Sequence, residues 1–148
     1  MVEALTRFVF GAPSLPPKDA ARRFAQRFET EYGSTHPRFL EESYKSAIDR
    51  AKADAKFLLV YLHSEEHEHT PTFCRTAICD ERIVNSWNEN FVVWAGSVTD
   101  ADAFAACQHL GASQFPFVAL LACVRNSITV VDRCEGLLDA TTLLSRLR

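Results

Sequence analysis

Cysteine and histidine are the residues of this chain whose types and spacing could support catalysis. A dithiol redox reaction needs one thiolate that attacks a disulfide and a second cysteine that resolves the mixed disulfide. Cys74 and Cys79 are the closest cysteines in the sequence. On an α-helix, a separation of five residues turns the second side chain about 140° away from the first. We therefore expect buried packing or a mildly reactive thiol at these positions, and no dithiol exchange.

A stretch rich in histidine and glutamate follows the first predicted strand. His63, His67 and His69 alternate with three glutamates, and a His-x-His pair completed by carboxylates can bind zinc. Because no distant ligand joins this local cluster, a solvated polar loop is the favoured interpretation, and we predict neither a metal nor a cofactor. Cys74 and His67 could form a nucleophile–base pair, but no third, orienting group is indicated. The sequence also has no nucleophile elbow, P-loop or dinucleotide motif, so we predict that it is not an enzyme.

Composition narrows the classes of protein that remain. The chain has 148 residues, 47% hydrophobic and 24% charged, with a formal net charge of −3. This size suits one domain with its own core, and the charge does not favour nucleic acid as a partner. No apolar run approaches the length of a membrane span, and the prolines after Phe10 argue against a signal peptide. An odd number of widely spaced cysteines fits a reducing compartment better than a disulfide framework.

Hydrophobic periodicity predicts two regions and the elements of the second one. Residues 1–18 are rich in proline and are interpreted as an irregular lead-in or linker, and residues 19–148 as one domain. Phe24, Phe28 and Tyr32 predict a first helix that ends at Gly33. We then predict a helix over 40–55, a strand at 57–62, helical segments over 71–78 and 80–87, and a strand at 91–95. A helix over 99–110 follows, begun by a Thr99–Asp102 capping box. The chain ends with strands at 115–122 and 128–134 and a last helix that is capped by Asp139.

The order of these elements predicts an α/β fold. Two strands that alternate with helices should be parallel, and the last two, joined by the turn at Arg125 and Asn126, should be antiparallel. A mixed sheet of about four strands flanked by helices, with an extra N-terminal helix, resembles the thioredoxin arrangement. The first thioredoxin strand is missing or replaced. Pro116 stands where that fold carries a cis-proline, and Gly136 where it carries a glycine before the last helix.

The resemblance also indicates what has become of the redox site. In a thioredoxin, the two cysteines follow the strand that corresponds to residues 57–62. Here His67 and Thr70 stand near those positions. We predict a degenerate active-site groove without redox chemistry, formed by a set of six residues: His67, Thr70, Phe73, Cys74, Phe115 and Pro116.

Four longer segments resemble one family. They are FETEYGSTHPRF at 28–39, FLLVYLH at 57–63, FCRTAIC at 73–79 and FPF at 115–117, and the turn EGL at 135–137 adds to them. Together they resemble the UAS domain of the Fas-associated factor family of UBX-domain proteins. Within that family the chain is more similar to the membrane-anchored type, because it lacks a long insertion before the third strand.

This resemblance implies a function. UAS domains of the family are associated with binding long-chain unsaturated fatty acids and with self-association that these lipids promote. The full proteins recruit valosin-containing protein, a hexameric ATPase, and ubiquitinated clients through other domains. The membrane-anchored type acts in endoplasmic-reticulum-associated degradation and at lipid droplets, so we expect a cytosolic domain at those membranes. For a fatty-acid carboxylate, the candidate contacts are Arg75, Lys52, Lys56 and Arg27. A protein-interaction adaptor that uses the groove and a residual thiol-redox enzyme are the alternatives.

Overall fold

A computed structural model of the chain describes residues 15–147. Most of the predicted lead-in segment, together with Arg148, lies outside the described residues. The elements in chain order are α1 (Pro17–Tyr32), α2 (Tyr44–Asp54), β1 (Phe57–His63), α3 (Thr70–Phe73), a π-helical turn (Cys74–Ile78), α4 (Glu81–Asn90), β2 (Phe91–Ser97), α5 (Ala101–Leu110), β3 (Phe117–Val124), β4 (Ser127–Glu135) and α6 (Ala140–Arg146).

The sheet confirms the predicted mixed topology. Its strand order is β2-β1-β3-β4, with β1 and β2 parallel and the other two pairs antiparallel. A single parallel bridge between Phe39 and Val93 lies on the outer edge of β2, where the Leu40 N–H donates to the Val93 carbonyl at 2.8 Å. This bridge replaces the missing first strand, and it satisfies part of an edge that would otherwise expose backbone groups.

Apolar side chains on both faces of the sheet explain why β1 and β2 read as continuous hydrophobic runs. Parallel strands covered by helices on both faces bury every side chain rather than alternate ones. Residues 58–63 of β1 and all of β2 are buried. Phe24 and Phe28 of α1, with Trp87 of α4, pack on one face of the sheet. Tyr44 of α2 and Ala106 of α5 pack on the other, and these two layers position the edge at which β1 and β2 end.

Side-chain caps set where the helices begin, and the starts of two helices differ from the prediction. Asp80 and Asp139 cap α4 and α6 as predicted. The second helix begins at Tyr44 rather than near residue 40, because the Ser43 side chain accepts from Ser46 N–H and caps it there. The predicted Thr99–Asp102 capping box was wrong. Asp102 instead accepts from the Tyr44 N–H at 2.8 Å and links α5 to α2.

The turn before β3 has the predicted form. The Phe115–Pro116 peptide bond is cis, and Gly136 has a positive φ of 91°. The Gly136 N–H donates to the Pro116 carbonyl at 2.9 Å. β3 itself begins at Phe117, two residues later than predicted. The proline loop is therefore held against the end of β4, beside the carboxyl end of β1.

Candidate functional site at the carboxyl ends of the parallel strands

The parallel strands β1 and β2 end side by side at His63 and Ser97. In open α/β sheets, ligands bind beyond the carboxyl ends of such strands. The loop 64–69 leaves β1 at this edge and is closed by its own hydrogen bonds. The Thr70 hydroxyl donates to the Ser64 carbonyl at 2.6 Å, and the His69 N–H donates to His67 Nδ1 at 3.2 Å. The histidine-rich segment is thus a compact turn rather than an extended loop.

A groove separates this loop from the proline loop. We call it the cis-proline groove. It has a volume of about 440 Å³ and is lined by His67, Glu68, His69, Ser113, Gln114, Phe115, Gly136 and Leu137. The structure therefore places two of the six predicted groove residues, His67 and Phe115, in the lining of one groove. The other four, Thr70, Phe73, Cys74 and Pro116, are buried and do not line it.

Glu135 holds one wall of the cis-proline groove in place. One of its carboxylate oxygens accepts from the backbone N–H groups of Ser113 and Gln114, both at 3.1 Å. Partial burial raises the pKa of Glu135, but these hydrogen bonds and Arg133 outweigh it, so the pKa lies below its usual value. The charged carboxylate fixes the loop before Phe115. Sequence reasoning singled out Glu135 only as part of a turn.

Cys74 belongs to a buried polar network with Tyr61 and His63 rather than to a pair with His67. Its sulfur lies 3.4 Å from the Tyr61 hydroxyl and 3.8 Å from His63 Nδ1. The Tyr61 hydroxyl is 2.8 Å from the same His63 nitrogen. Burial raises the pKa of the Cys74 thiol to about 11. A nucleophile needs the thiolate, so this geometry disfavours attack on a disulfide.

The segment that carries both candidate cysteines is a π-helical turn, which changes the predicted geometry. The Cys79 N–H donates to the Cys74 carbonyl at 3.0 Å, an i→i+5 bond. The predicted divergence of about 140° assumed an α-helix and does not apply. Burial raises the pKa of Cys79 as well, and all five cysteines are free thiols. Neither thiol is therefore an acidic nucleophile.

A second cavity, which we call the α1 trough, runs along α1 at the same edge of the sheet. Its volume is about 700 Å³. The lining includes Phe24, Arg27, Phe28, Glu31 and Tyr32 on α1, with His63, Glu65, Pro71, Ser97 and Asp100 opposite. His63 is only 6% exposed, and its ring packs edge-on against Phe24 with 5.3 Å between centroids. Sequence reasoning missed this site, because it read His63 with the loop.

Metal ligands are not assembled at the histidine-rich loop. The rings of His67 and His69 are tilted by 48° with 5.3 Å between centroids, while His63 lies in the buried network with Tyr61. Within residues 15–147, no three histidine, cysteine, aspartate or glutamate side chains converge as a metal site.

The four cations predicted to contact a carboxylate occupy separate places. Arg27 lies on the rim of the α1 trough. The Arg75 guanidinium lies over the Tyr32 ring, 5.4 Å from its centroid. Lys52 and Lys56 lie at the opposite end of the sheet, where β1 begins. The structure therefore divides the predicted set into two groups that cannot contact one carboxylate.

Solved structures define the class of this fold. The chain is similar to a thioredoxin from Thermus thermophilus, with a TM-score of 0.66 and 19% identity over 77% of this chain and 85% of that one. It is also similar to a putative disulphide-isomerase from Bacteroides thetaiotaomicron, with a TM-score of 0.64 and 21% identity over 77% of this chain and 92% of that one. The fold is therefore thioredoxin-like, as predicted.

Sequence comparison shows the family. The family model described as Fas-associated factor 1 matches residues 24–107. FAS-associated factor 2-B of Xenopus laevis is 38% identical over 84% of this chain and 28% of the relative. The human FAS-associated factor 2 is 34% identical over the same shares. Plant UBX domain-containing protein 10 of Arabidopsis thaliana is 38% identical over 78% of this chain and 25% of its own length. The chain belongs to the Fas-associated factor family, and it spans about a quarter of the length of these relatives.

Among the helices of residues 15–147, none is long and apolar enough to cross a bilayer.

Proposed function

We propose that this chain is the non-catalytic UAS module of a UBX-type adaptor protein. Its main support is the absence of an accessible, acidic thiol after β1. Residues 64–69 contain no cysteine, and the nearest thiol, Cys74, is buried with its pKa raised to about 11. The chain retains the fold and the proline loop of thioredoxin-like proteins without an acidic thiol. Family membership supports an adaptor role, since the relatives are named as Fas-associated factors and a UBX domain-containing protein.

The proposal includes binding of long-chain unsaturated fatty acids and self-association. Such a ligand needs a cation for its carboxylate and an apolar surface for its chain. Lys52 and Lys56 supply charge at the start of β1, beside Phe57, which is 43% exposed. Extension of the β1–β3 register by one step pairs Phe57 with Ala122, so Val124, which is 61% exposed and two residues further along β3, lies diagonally across from Phe57 on the same face. We call this set of four residues the basic end. It supports fatty-acid binding better than Arg75, which is engaged by Tyr32.

Sedimentation velocity tests this proposal directly. The 148-residue chain is measured alone and with micromolar oleate, with the saturated stearate as the matched lipid. We expect oleate to shift the chain to larger species and stearate to do so less. An unchanged sedimentation coefficient with oleate, in a chain that remains folded by circular dichroism, rules out the fatty-acid role.

The wider role of the parent protein is part of the same proposal. We propose that it acts at the cytosolic face of the endoplasmic reticulum and at lipid droplets, with ubiquitinated clients and the valosin-containing-protein ATPase as partners. Its support is the family to which the chain belongs. In this proposal the ATPase binds to domains outside this chain. A pull-down should therefore recover the ATPase with the full-length protein but not with the purified chain.

A second candidate function is protein recognition in the cis-proline groove. Glu135 fixes its wall, and Leu137 is an exposed apolar side chain beside Phe115. The test compares proteins retained by the native chain with those retained by His67→Ala and Leu137→Ala variants. Glu89→Ala, on the exposed part of α4, is the matched control. Loss of the same partner from both groove variants supports this function, and unchanged recovery contradicts it.

A further inference from the structure

The α1 trough contains a polar group that the proposed function does not use. His63 is nine-tenths buried, yet it lines the trough. Its Nδ1 atom is engaged at 2.8 Å by the Tyr61 hydroxyl, and Nε2 has no hydrogen-bond partner among residues 15–147. Nε2 is not among the fully buried unpartnered atoms of the described residues, so it keeps accessible surface, at which water or a bound molecule can accept its hydrogen bond.

The buried network sets the proton on His63. Burial keeps the Tyr61 phenol protonated, because it raises its pKa well above the usual value. A phenol is a strong donor and an imidazole nitrogen a strong acceptor, so the Tyr61 O–H donates to Nδ1. Cys74 can complete the chain by donating its weak S–H to the Tyr61 oxygen. Nε2 therefore carries the hydrogen and presents a donor to the trough.

The walls of the trough determine what could accept that hydrogen bond. Phe24 and Phe28 form its floor but are only 5% and 2% exposed, so the half-buried Tyr32 and Pro71 supply most of its accessible apolar surface. From Arg23 to Tyr32 the helix rises about 14 Å, which is long enough for a medium-length chain. Among the charged groups in the lining, Arg23 and Arg27 are outnumbered by Glu31, Glu65 and Asp100. The Arg23 guanidinium is paired with Asp100 at 2.8 Å, so the remaining field disfavours an anion.

We propose that the α1 trough binds an uncharged acyl ester or amide, with its carbonyl oxygen on His63 Nε2–H and its apolar chain along Tyr32 and Pro71. A volume of about 700 Å³ falls within the usual range of small-molecule sites. This inference goes beyond the proposed fatty-acid role and does not depend on it, since it concerns another end of the molecule and a neutral ligand.

Calorimetric titration of the 148-residue chain with 1-monooctanoylglycerol, below its micelle concentration, tests the inference. Octanoate is the charged counterpart. We expect the neutral ester to bind at least about tenfold more tightly than octanoate and to shift the imidazole Nε2–H signal of His63 in a ¹H–¹⁵N spectrum. His63→Phe keeps a ring against Phe24 but removes the donor, and should weaken binding about tenfold.

Two surface variants keep the test informative if His63→Phe does not fold. Thr30→Trp fills the trough from an exposed position on α1 and should abolish binding. Arg22→Trp places the same ring on an exposed part of α1 outside the trough and should leave affinity unchanged. Absence of ester binding to the folded chain, equal affinity for octanoate, or binding unaffected by Thr30→Trp would each overturn the inference.

Discussion

At the scale of single residues, burial decides which nucleophiles could react. Cys74 has a hydroxyl and an imidazole within 4 Å, an arrangement that at a protein surface would suggest an activated thiol. Here its side chain is inaccessible to solvent, and burial raises its pKa to about 11. The thiolate is therefore scarce at neutral pH, and a disulfide substrate has no path to it.

Thiol labelling checks this account of Cys74. At pH 8 the thiolate fraction should be about a hundredfold lower than for a thiol at the ordinary pKa of 9.0, and the closed site lowers reactivity further. We expect iodoacetamide to modify the partly exposed Cys79 and Cys107 first and Cys74 only after unfolding. Mass spectrometry of peptides from native and urea-unfolded protein makes the comparison.

An insulin-reduction assay addresses the same residue by function. We expect no activity above background and no difference between the native chain and Cys74→Ser. Rapid labelling of Cys74 in the folded protein, or reduction of insulin that Cys74→Ser removes, would restore the residual redox alternative.

At the scale of elements, one close approach fixes how α5 packs on β2. A Cβ atom added at Gly96 would lie 2.9 Å from the Cβ of Ala103 and 3.4 Å from the Trp94 ring. Neither neighbour has a flexible end that can move away, so a methyl group at Gly96 would force the helix off the sheet. Gly96 therefore has a packing role and not a conformational one.

A double-mutant cycle tests this packing. Gly96→Ala should lower the free energy of unfolding by about 1–3 kcal/mol through overpacking. Ala103→Gly alone should cost about 1 kcal/mol of helix propensity, but in the double variant it removes the clash and recovers part of the loss. Ala105→Gly, on the exposed face of α5, carries the same propensity cost and should give no rescue. Additive effects of Gly96→Ala and Ala103→Gly in urea unfolding would contradict the proposed contact.

The elements also show how far sequence reasoning reaches. The buried strands β1 and β2, the hairpin at Arg125 and the caps at Asp80 and Asp139 followed from local pattern, and the structure has them. The π-helical turn did not follow from local pattern, because the same kinds of residue form an i→i+5 bond and an i→i+4 bond. The role of His63 was equally hidden, because its partner Tyr61 looks like one more apolar residue in a buried strand.

At the scale of the whole molecule, the two proposed lipid contacts lie at opposite ends of one strand. β1 runs from Phe57, in the basic end, to His63, in the α1 trough. Six steps along a strand span about 20 Å, so one carboxylate or one carbonyl group cannot contact both ends. The predicted set of carboxylate contacts divides in the same way, with Lys52 and Lys56 at one end and Arg27 and Arg75 nearer the other.

This separation predicts that the two ends act independently. Lys52→Gln combined with Lys56→Gln should raise the oleate concentration needed for self-association at least about tenfold, because each cation near an anionic lipid surface contributes about 1 kcal/mol. The same double variant should bind 1-monooctanoylglycerol normally. Lys18→Gln with Lys45→Gln removes an equal charge at two other exposed sites and should leave both properties unchanged. If Arg27→Gln with Arg75→Gln blocks oleate-induced sedimentation while the Lys52/Lys56 pair does not, the basic end is not where the carboxylate binds.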